Sequence, residues 1–199
     1  MINKRLNEKG ILAKLLEKGL RLLLIKECKK ISNIKIDIVS TSTEVIKGNI
    51  KKINIYAEDI SYKDLLFDEF ELEANQLKIN FKLTTKELYF KNDPIIKFKI
   101  SLSQKSLKTF LLYNNWNHIR NMINKEILNK AKLEDIKIKN GQLLIKASEE
   151  NNTINSGEQI EIKTTKGKLY LRNRNNNKTI QIPIEEKIYI ENVKIENDL

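Results

Sequence analysis

The chain has few of the residues on which active sites and metal centres are usually built. Its 199 residues include one cysteine, Cys28, and one histidine, His118. One cysteine excludes an intrachain disulfide, and tetrahedral zinc needs several Cys and His ligands. A serine triad or a Cys–His pair would depend on His118, which the sequence pattern places on the polar side of a helix. Without a phosphate-binding glycine loop either, we expect no enzymatic activity, no metal and no cofactor.

Glycine, proline and long apolar runs are also scarce. Six Gly and two Pro argue against long disordered linkers, and the length suits a single domain over residues 1–199. The uncharged apolar run 22–25 is too short for a signal peptide core. No segment approaches the roughly 20 apolar residues of a transmembrane helix. We therefore expect a cytoplasmic protein, free or peripheral to a membrane.

Acidic residues are outnumbered by basic ones. The 37 Lys and Arg against 26 Asp and Glu give a formal net charge of +11. This charge attracts nucleic acid, anionic lipid headgroups or acidic proteins without distinguishing them. The acidic residues concentrate between Glu58 and Glu73, where a metal site is conceivable. Because Glu71 and Glu73 alternate with Phe70 and Leu72, the pattern favours the solvent face of a strand, balanced by lysines of neighbouring strands.

The first segment, Leu6 to Lys30, is predicted to be helical. An apolar stripe recurs at helical spacing and consists of Leu12, Leu15, Leu16, Leu20 and Leu23. Basic residues lie on the other side, with Lys14, Lys18 and Arg21 among them. The end of this helix, Leu22 to Ile25, is apolar all round, so we expect other structure to cover it on several sides.

From Asn33 onward the apolar period is two, which is typical of half-buried strands. The phase changes at Asn75-Gln76, which predicts a turn or bulge there. Asn92-Asp93-Pro94 predicts a connection between two further strands. After a second helical region, Asn140-Gly141 is the strongest hairpin signal. Lys166-Gly167 predicts another turn, and alternating apolar residues predict strands up to Ile195.

The second helical region follows Ser103 or Ser106, either of which can cap a helix. Its apolar stripe consists of Trp116, Ile119, Ile123 and Ile127. The stripe is either ordinary core or the lining of a space for lipid tails. The order of helix, strands, helix and strands predicts an α+β fold without parallel βαβ units. Since the two amphipathic helices must cover the strands' apolar faces, we expect a strongly curved antiparallel sheet wrapped around them.

Two segments resemble the LmeA-like phospholipid-binding family, formerly a domain of unknown function. The first is Ile53-Asn-Ile-Tyr-Ala-Glu-Asp-Ile-Ser-Tyr-Lys-Asp-Leu-Leu-Phe-Asp-Glu-Phe-Glu-Leu-Glu-Ala74. The second begins with the strand Ile100-Ser-Leu-Ser-Gln104, continues through the helical region with Trp116, and ends in Ile136-Lys-Ile-Lys-Asn-Gly-Gln-Leu-Leu-Ile145. The resemblance implies a fold like the tubular lipid-binding proteins, with a curved sheet rolled around a long helix. It also implies non-enzymatic binding of phospholipid, especially anionic phospholipid.

The sequence thus favours phospholipid, or an anionic membrane surface, as the partner. The candidate lipid-contacting residues are those of the two apolar stripes, and the candidate headgroup-contacting residues are Lys14, Lys18 and Arg21. Two alternatives remain open. Net charge alone would suit a nucleic-acid-binding module, although arginine is scarce and the phenylalanines follow the buried phase. A scaffold that docks an acidic protein is the other.

Overall fold

The computed structural model describes residues 10–63, 65–82, 87–112, 117–148 and 157–196. These residues form helices and antiparallel sheets that are not closed, which confirms the prediction of an α+β fold. The chain divides into two compact units, Met1–Leu102 and Ser103–Leu199. Each has its own sheet and its own buried clusters. The single-domain assignment over 1–199 stays a prediction.

The described residues of the first unit form two helices and a five-stranded sheet. Its helices are α1 (Ile11–Glu27) and α2 (Ser42–Ile46). Its strands are β1 (Lys30–Val39), β2 (Asn49–Tyr62), β3 (Leu65–Lys82), β4 (Glu87–Phe90) and β5 (Ile96–Ser101). The order is β1-β2-β3, and β3 pairs along its length with both β5 and β4.

The predicted change of phase at Asn75-Gln76 is confirmed. Ala74 and Leu77, three residues apart, are both buried, and Gln76 has a φ of 53°. The side chain of Asn92 accepts a hydrogen bond from the Lys78 amide and donates one to the Gln76 carbonyl. Asn92, which was predicted to lie in the connection between two strands, therefore also stabilises the backbone of β3 at the phase change.

The boundary of α1 differs from the prediction. The helix ends at Glu27 rather than Lys30, because Cys28 already has extended backbone angles and Lys30 pairs with Ser61 of β2. Residues 6–9 lie outside the described residues. The short helix α2 was not predicted, although its signature is present: Thr41 and Glu44 form a reciprocal capping box.

The second unit places its helices on one face of a second antiparallel sheet. The helical part consists of α3 (Gln104–Leu112), α4 (Asn117–Met122) and a π-helical turn (Ile123–Ile127). The sheet order is β10-β9-β8-β7-β6. The strands are β6 (Lys132–Lys139), β7 (Gln142–Ser148), β8 (Glu158–Thr165), β9 (Lys168–Asn173) and β10 (Thr179–Gln181).

The turns and the helix cap predicted for this unit are confirmed. Ser103 caps α3 by accepting a hydrogen bond from the Ser106 amide. Asn140 and Gly141 both have positive φ in the β6–β7 turn, as a type I′ turn requires. Lys166 and Gly167 do the same between β8 and β9.

The predicted strands beyond β10 are wrong. Residues 182–196 have no regular secondary structure and make only isolated backbone bonds, such as Ile190 to the Gly167 carbonyl. Pro183 lacks the amide that a continued ladder needs. Alternating apolar residues in this segment nevertheless pack, since Ile182 and Ile195 contact the buried cluster of the second unit.

Candidate functional site

One side of α1 holds the helix against the first sheet. Ala13 is fully buried, and Leu16 and Leu20 pack beside it on a cluster of β1, β2 and β3 residues. Leu24 packs on a second cluster that includes Ala57. These positions recur at intervals of three, four and seven residues, so they share one side of the helix.

The opposite side of α1 is exposed and combines apolar with basic residues. Ile11, Leu15, Leu22, Leu23 and Ile25 each have between 51% and 75% of their surface accessible. At about 100° per residue, Ile11, Leu15, Leu22 and Ile25 lie within an arc of about 80°. Isolated exposed apolar side chains are ordinary on a protein surface, but several within one arc of a helix form a cluster of the kind that marks an interaction surface.

The basic residues of α1 lie among and beside these apolar side chains, with Lys18 inside the same arc. Lys14, Lys18, Arg21 and Lys26 are all exposed. The two carboxylates of the helix lie elsewhere: Glu17 accepts a hydrogen bond of 2.7 Å from the Ile38 amide of β1, and Glu27 shares an arc with Leu16 and Leu20. We define the outer face of α1 by these exposed residues: Ile11, Lys14, Leu15, Lys18, Arg21, Leu22, Ile25 and Lys26, with Leu23 at its border.

The structure divides the predicted leucine stripe of α1 between two environments. Leu16 and Leu20 pack on the sheet, and Leu12 is half-buried, whereas Leu15 and Leu23 are exposed. The sequence reasoning missed Ile11, Leu22 and Ile25. The signal was the apolar run 22–25, and the expectation that other structure covers this end was wrong, since only Leu24 of the four packs on a buried cluster.

The predicted apolar stripe of the second helical region is buried where the structure describes it. Ile119, Ile123 and Ile127 are 4%, 1% and 0% exposed and form part of the core of the second unit. Trp116 lies outside the described residues. These three isoleucines therefore contact the sheet of their own unit, and the role of the stripe in lining a space for lipid stays a prediction.

The apolar side of the first sheet extends beyond the reach of α1. Phe98 of β5 is paired in register with Leu72, and Leu72 with Ile55. Ile55 and Leu72 pack beneath the helix, whereas Phe98 is 49% exposed and its neighbours Ile96 and Ile100 are also exposed. An apolar row on β5 thus lies on the same side of the sheet as α1.

The solvent face of the first sheet is polar and charge-balanced. A groove of about 400 Å³ runs across four strands between two polar rows. One row is Lys35, Tyr56, Glu71 and Lys99, and the other is Asp37, Asn54, Glu73 and Lys97. Lys99 pairs with Glu71 at 3.0 Å, and Lys52 of β2 pairs with Glu73 at 2.6 Å. The acidic stretch therefore faces lysines of neighbouring strands, as the sequence suggested.

Hydrogen bonds perturb the ionisable groups at the end of this groove. Tyr56 donates a 2.6 Å hydrogen bond to Glu58, which raises the pKa of the tyrosine to about 12 and lowers the pKa of the carboxyl group. The Asn33 side chain also donates to Glu58. Within the described ranges, no group of three His, Cys, Asp or Glu residues is arranged to hold a metal ion.

The two residues considered for catalysis lie in different units. His118 is exposed on α4, on the polar side as predicted. Cys28 is partly buried and packs beside Leu24 in the first unit. Desolvation, followed by the charge of Glu27, raises the pKa of its thiol, which favours the unreactive protonated form.

Comparison with known proteins yields no relative of this chain: no family model, curated protein or solved structure matches it. The resemblance to the LmeA-like family therefore stays a prediction. Among the helices in the described part of the chain, none combines the length and apolar character needed to cross a membrane.

Proposed function

We propose that this protein binds anionic phospholipid at a membrane surface through the outer face of α1, without catalysis. The observation that carries the proposal is the combination on one helix face of exposed apolar side chains with Lys14, Lys18, Arg21 and Lys26. Helices with an apolar face and flanking cations lie in the plane of the interface, with the apolar side chains at the boundary of headgroups and acyl chains.

The magnitudes favour a membrane over water for this face. Full burial of one Leu or Ile side chain contributes about 1.5–3 kcal/mol, and each Lys or Arg near an anionic surface adds about 1 kcal/mol. Because the packed side of α1 holds the helix on β1 and β2, the outer face is already ordered. Binding therefore does not incur the conformational cost of forming the helix.

The proposal extends to the architecture that the sequence analysis expected. A sheet rolled around α1, as in the tubular lipid-binding proteins, is supported by the packing of α1 along the first sheet. It is also supported by the exposed apolar row Ile96, Phe98 and Ile100 on the same side of that sheet. Membership of the LmeA-like family is part of this same proposal.

Vesicle binding tests the proposal directly. The double variant Leu15→Ser/Leu22→Ser removes two apolar side chains from the outer face of α1. We expect its affinity for vesicles of phosphatidylserine and phosphatidylcholine to fall by at least about tenfold, because each buried Leu contributes more than about 1.4 kcal/mol. Co-sedimentation at several lipid concentrations measures this affinity.

A matched control is available in the same unit. Ile46 and Ile95 are 75% and 79% exposed but lie outside α1, so Ile46→Ser/Ile95→Ser removes the same number of exposed apolar side chains. This control is expected to bind vesicles like the unmodified protein. Wild-type affinity of the Leu15→Ser/Leu22→Ser variant would contradict the proposal, as would equal weakening of both variants.

A further inference from the structure

The solvent face of the second sheet concentrates basic side chains. From Asp135 onward, the residues of β6 to β9 that alternate with the buried ones, together with Arg174, include seven basic residues and two acidic ones. We call this the basic face of the second sheet. Its basic residues are Lys137, Lys139, Lys146, Lys163, Lys168, Arg172 and Arg174, and its acidic residues are Asp135 and Glu161.

The two carboxylates of the basic face are already engaged. Glu161 contacts Lys163 at 3.1 Å and Arg174 at 3.2 Å, and Asp135 contacts Lys108 of α3 at 2.6 Å. Lys137, Lys139 and Lys146 make no ion pair with any residue that the structure describes, and all three side chains reach solvent. The face therefore retains positive charge that its own sheet does not neutralise.

This charge is not simply the general excess of lysine spread evenly over every strand. The described solvent face of the first sheet carries five lysines and five carboxylates at the equivalent alternating positions, and its lysines Lys52 and Lys99 pair with carboxylates. A chain with lysine on every long strand thus has one neutral sheet face and one basic sheet face. Such a difference points to a polyanionic partner at the second sheet.

The side chains of the basic face favour lipid headgroups over nucleic acid. Single strands are bound by several aromatic side chains on which bases stack, whereas the described part of this face offers only Tyr170, whose hydroxyl donates to Gln181. Arg174, which could bind a phosphate or base edge bidentately, already contacts Glu161. Lysines act as point charges that suit a field of headgroups without a fixed geometry.

We infer that the basic face of the second sheet contacts the headgroups of an anionic lipid surface, as a contact separate from the outer face of α1. The inference rests on the proposed function only in that both contacts use the same class of ligand. The contact at α1 depends on apolar insertion, whereas the contact at the second sheet is electrostatic and is therefore screened by salt.

The test compares two variants that lose the same charge. One is Lys137→Gln/Lys139→Gln/Lys146→Gln/Lys163→Gln on the basic face. The control is Lys35→Gln/Lys52→Gln/Lys97→Gln/Lys99→Gln on the first sheet. With phosphatidylserine-containing vesicles at low ionic strength, we expect the first variant to bind at least about a hundredfold more weakly, since each of its four lysines contributes about 1 kcal/mol at such a surface. The control is expected to change affinity less than about threefold.

Circular dichroism checks the fold of both variants, and Lys139→Gln/Lys146→Gln replaces the fourfold variant if that protein does not fold. Two lysines at about 1 kcal/mol each then predict about thirtyfold weakening. Equal weakening by the two fourfold variants would overturn the inference, since net charge alone would explain it. Unchanged binding of the basic-face variant would overturn it too. Tighter binding of oligo(dT) than of vesicles, lost with the same lysines, would overturn it in favour of nucleic acid.

The outcomes separate this inference from the proposed function. If Leu15→Ser/Leu22→Ser retains vesicle affinity and the basic-face variant loses it, the outer face of α1 is not the binding surface and the second sheet is. If only the leucine variant loses affinity, the proposed function stands and the inference about the second sheet fails.

Discussion

The two units expose opposite kinds of surface. In the first, the helix that covers the sheet leaves apolar residues such as Leu22 accessible, while the solvent face of the sheet is charge-balanced. In the second, the described residues of the apolar helical stripe expose at most 4% of their surface, while the solvent face of the sheet carries more lysines than carboxylates. Exposed apolar side chains thus accompany basic ones on α1 of the first unit, whereas the exposed positive charge of the second unit lies on a sheet face without such apolar residues.

An apolar helical stripe is partly exposed in the first unit and buried in the second, because periodicity alone does not show how much of a helix is covered by other elements. A helical stripe predicts which residues share a side, but the partner elements decide how much of the helix is covered. In α1 apolar residues occupy both sides of the helix, and the sheet covers only the side that holds Leu16 and Leu20. In the second unit the sheet covers Ile123 and Ile127 almost completely.

The largest expected difference is between truncations of the two helical stripes. Ile127→Ala should destabilise the protein by about 3 kcal/mol, since it removes a fully buried side chain and leaves a cavity. Leu22→Ala should change stability by less than about 0.5 kcal/mol, because the side chain is exposed. Urea denaturation followed by circular dichroism measures both.

Vesicle affinity should show the reverse order, with Leu22→Ala weaker and Ile127→Ala unchanged under conditions where it is folded. If Ile127→Ala weakened lipid binding without changing stability, the assignment of lipid contact to α1 and of core packing to Ile127 would be wrong. The predicted lipid-lining role of that stripe would then be supported.

Substitution of glycine by alanine should have opposite signs in the two units. Gly167 has a φ of 75°, and a Cβ there would meet the ring of Tyr189. We expect Gly167→Ala to cost about 2 kcal/mol from backbone strain and displacement of the ring. Gly19 lies inside α1, and the space that an alanine methyl group would occupy there is open, so Gly19→Ala should stabilise by up to about 1 kcal/mol.

Thermal unfolding of both single variants checks these signs. In a Tyr189→Ala background the cost of Gly167→Ala should fall, because only the backbone strain is left. A cost that is the same in both backgrounds would show that the contact with the C-terminal segment contributes nothing at this turn.

The smallest expected effect is the titration of Tyr56. Because its hydrogen bond to Glu58 and nearby carboxylates favour the neutral phenol, its pKa is raised to about 12. A pKa raised on folding stabilises the native state fully below pH 10, and this contribution is lost as pH rises from about 10 to about 12. Ultraviolet difference titration of the protein against Tyr56→Phe isolates this group. A Tyr56 midpoint near 10 would show that the carboxylates of the first sheet do not act on it.

Local signals made much of the fold predictable. Turns with positive φ, such as Asn140-Gly141, depend on a few adjacent residues, and the phase change at Asn75-Gln76 is visible in the alternation itself. Features set by distant contacts were not predictable: Lys30 joins β1 rather than α1 because Ser61 lies opposite it. The tail after β10 alternates like a strand, but Pro183 and the course of the chain prevent a ladder.

The candidate site was predictable only in part for the same reason. Lys14, Lys18 and Arg21 lie together because they are spaced along one helix. The exposure of Leu22 and Ile25 depends on whether other elements pack over them, and the spacing of apolar residues does not predict that. The charge difference between the two sheet faces requires strand register, since it concerns which carboxylate stands beside which lysine.

The hydrogen bond from the Ile38 amide to Glu17 protects the outer edge of β1. A strand at the margin of a sheet offers free amides to which another chain can add. Here a carboxylate from α1 occupies one of these amides in the second half of β1. We expect Glu17→Ala to leave this amide available to the edge strand of a second copy, so the variant should self-associate more than the unmodified protein at the same concentration.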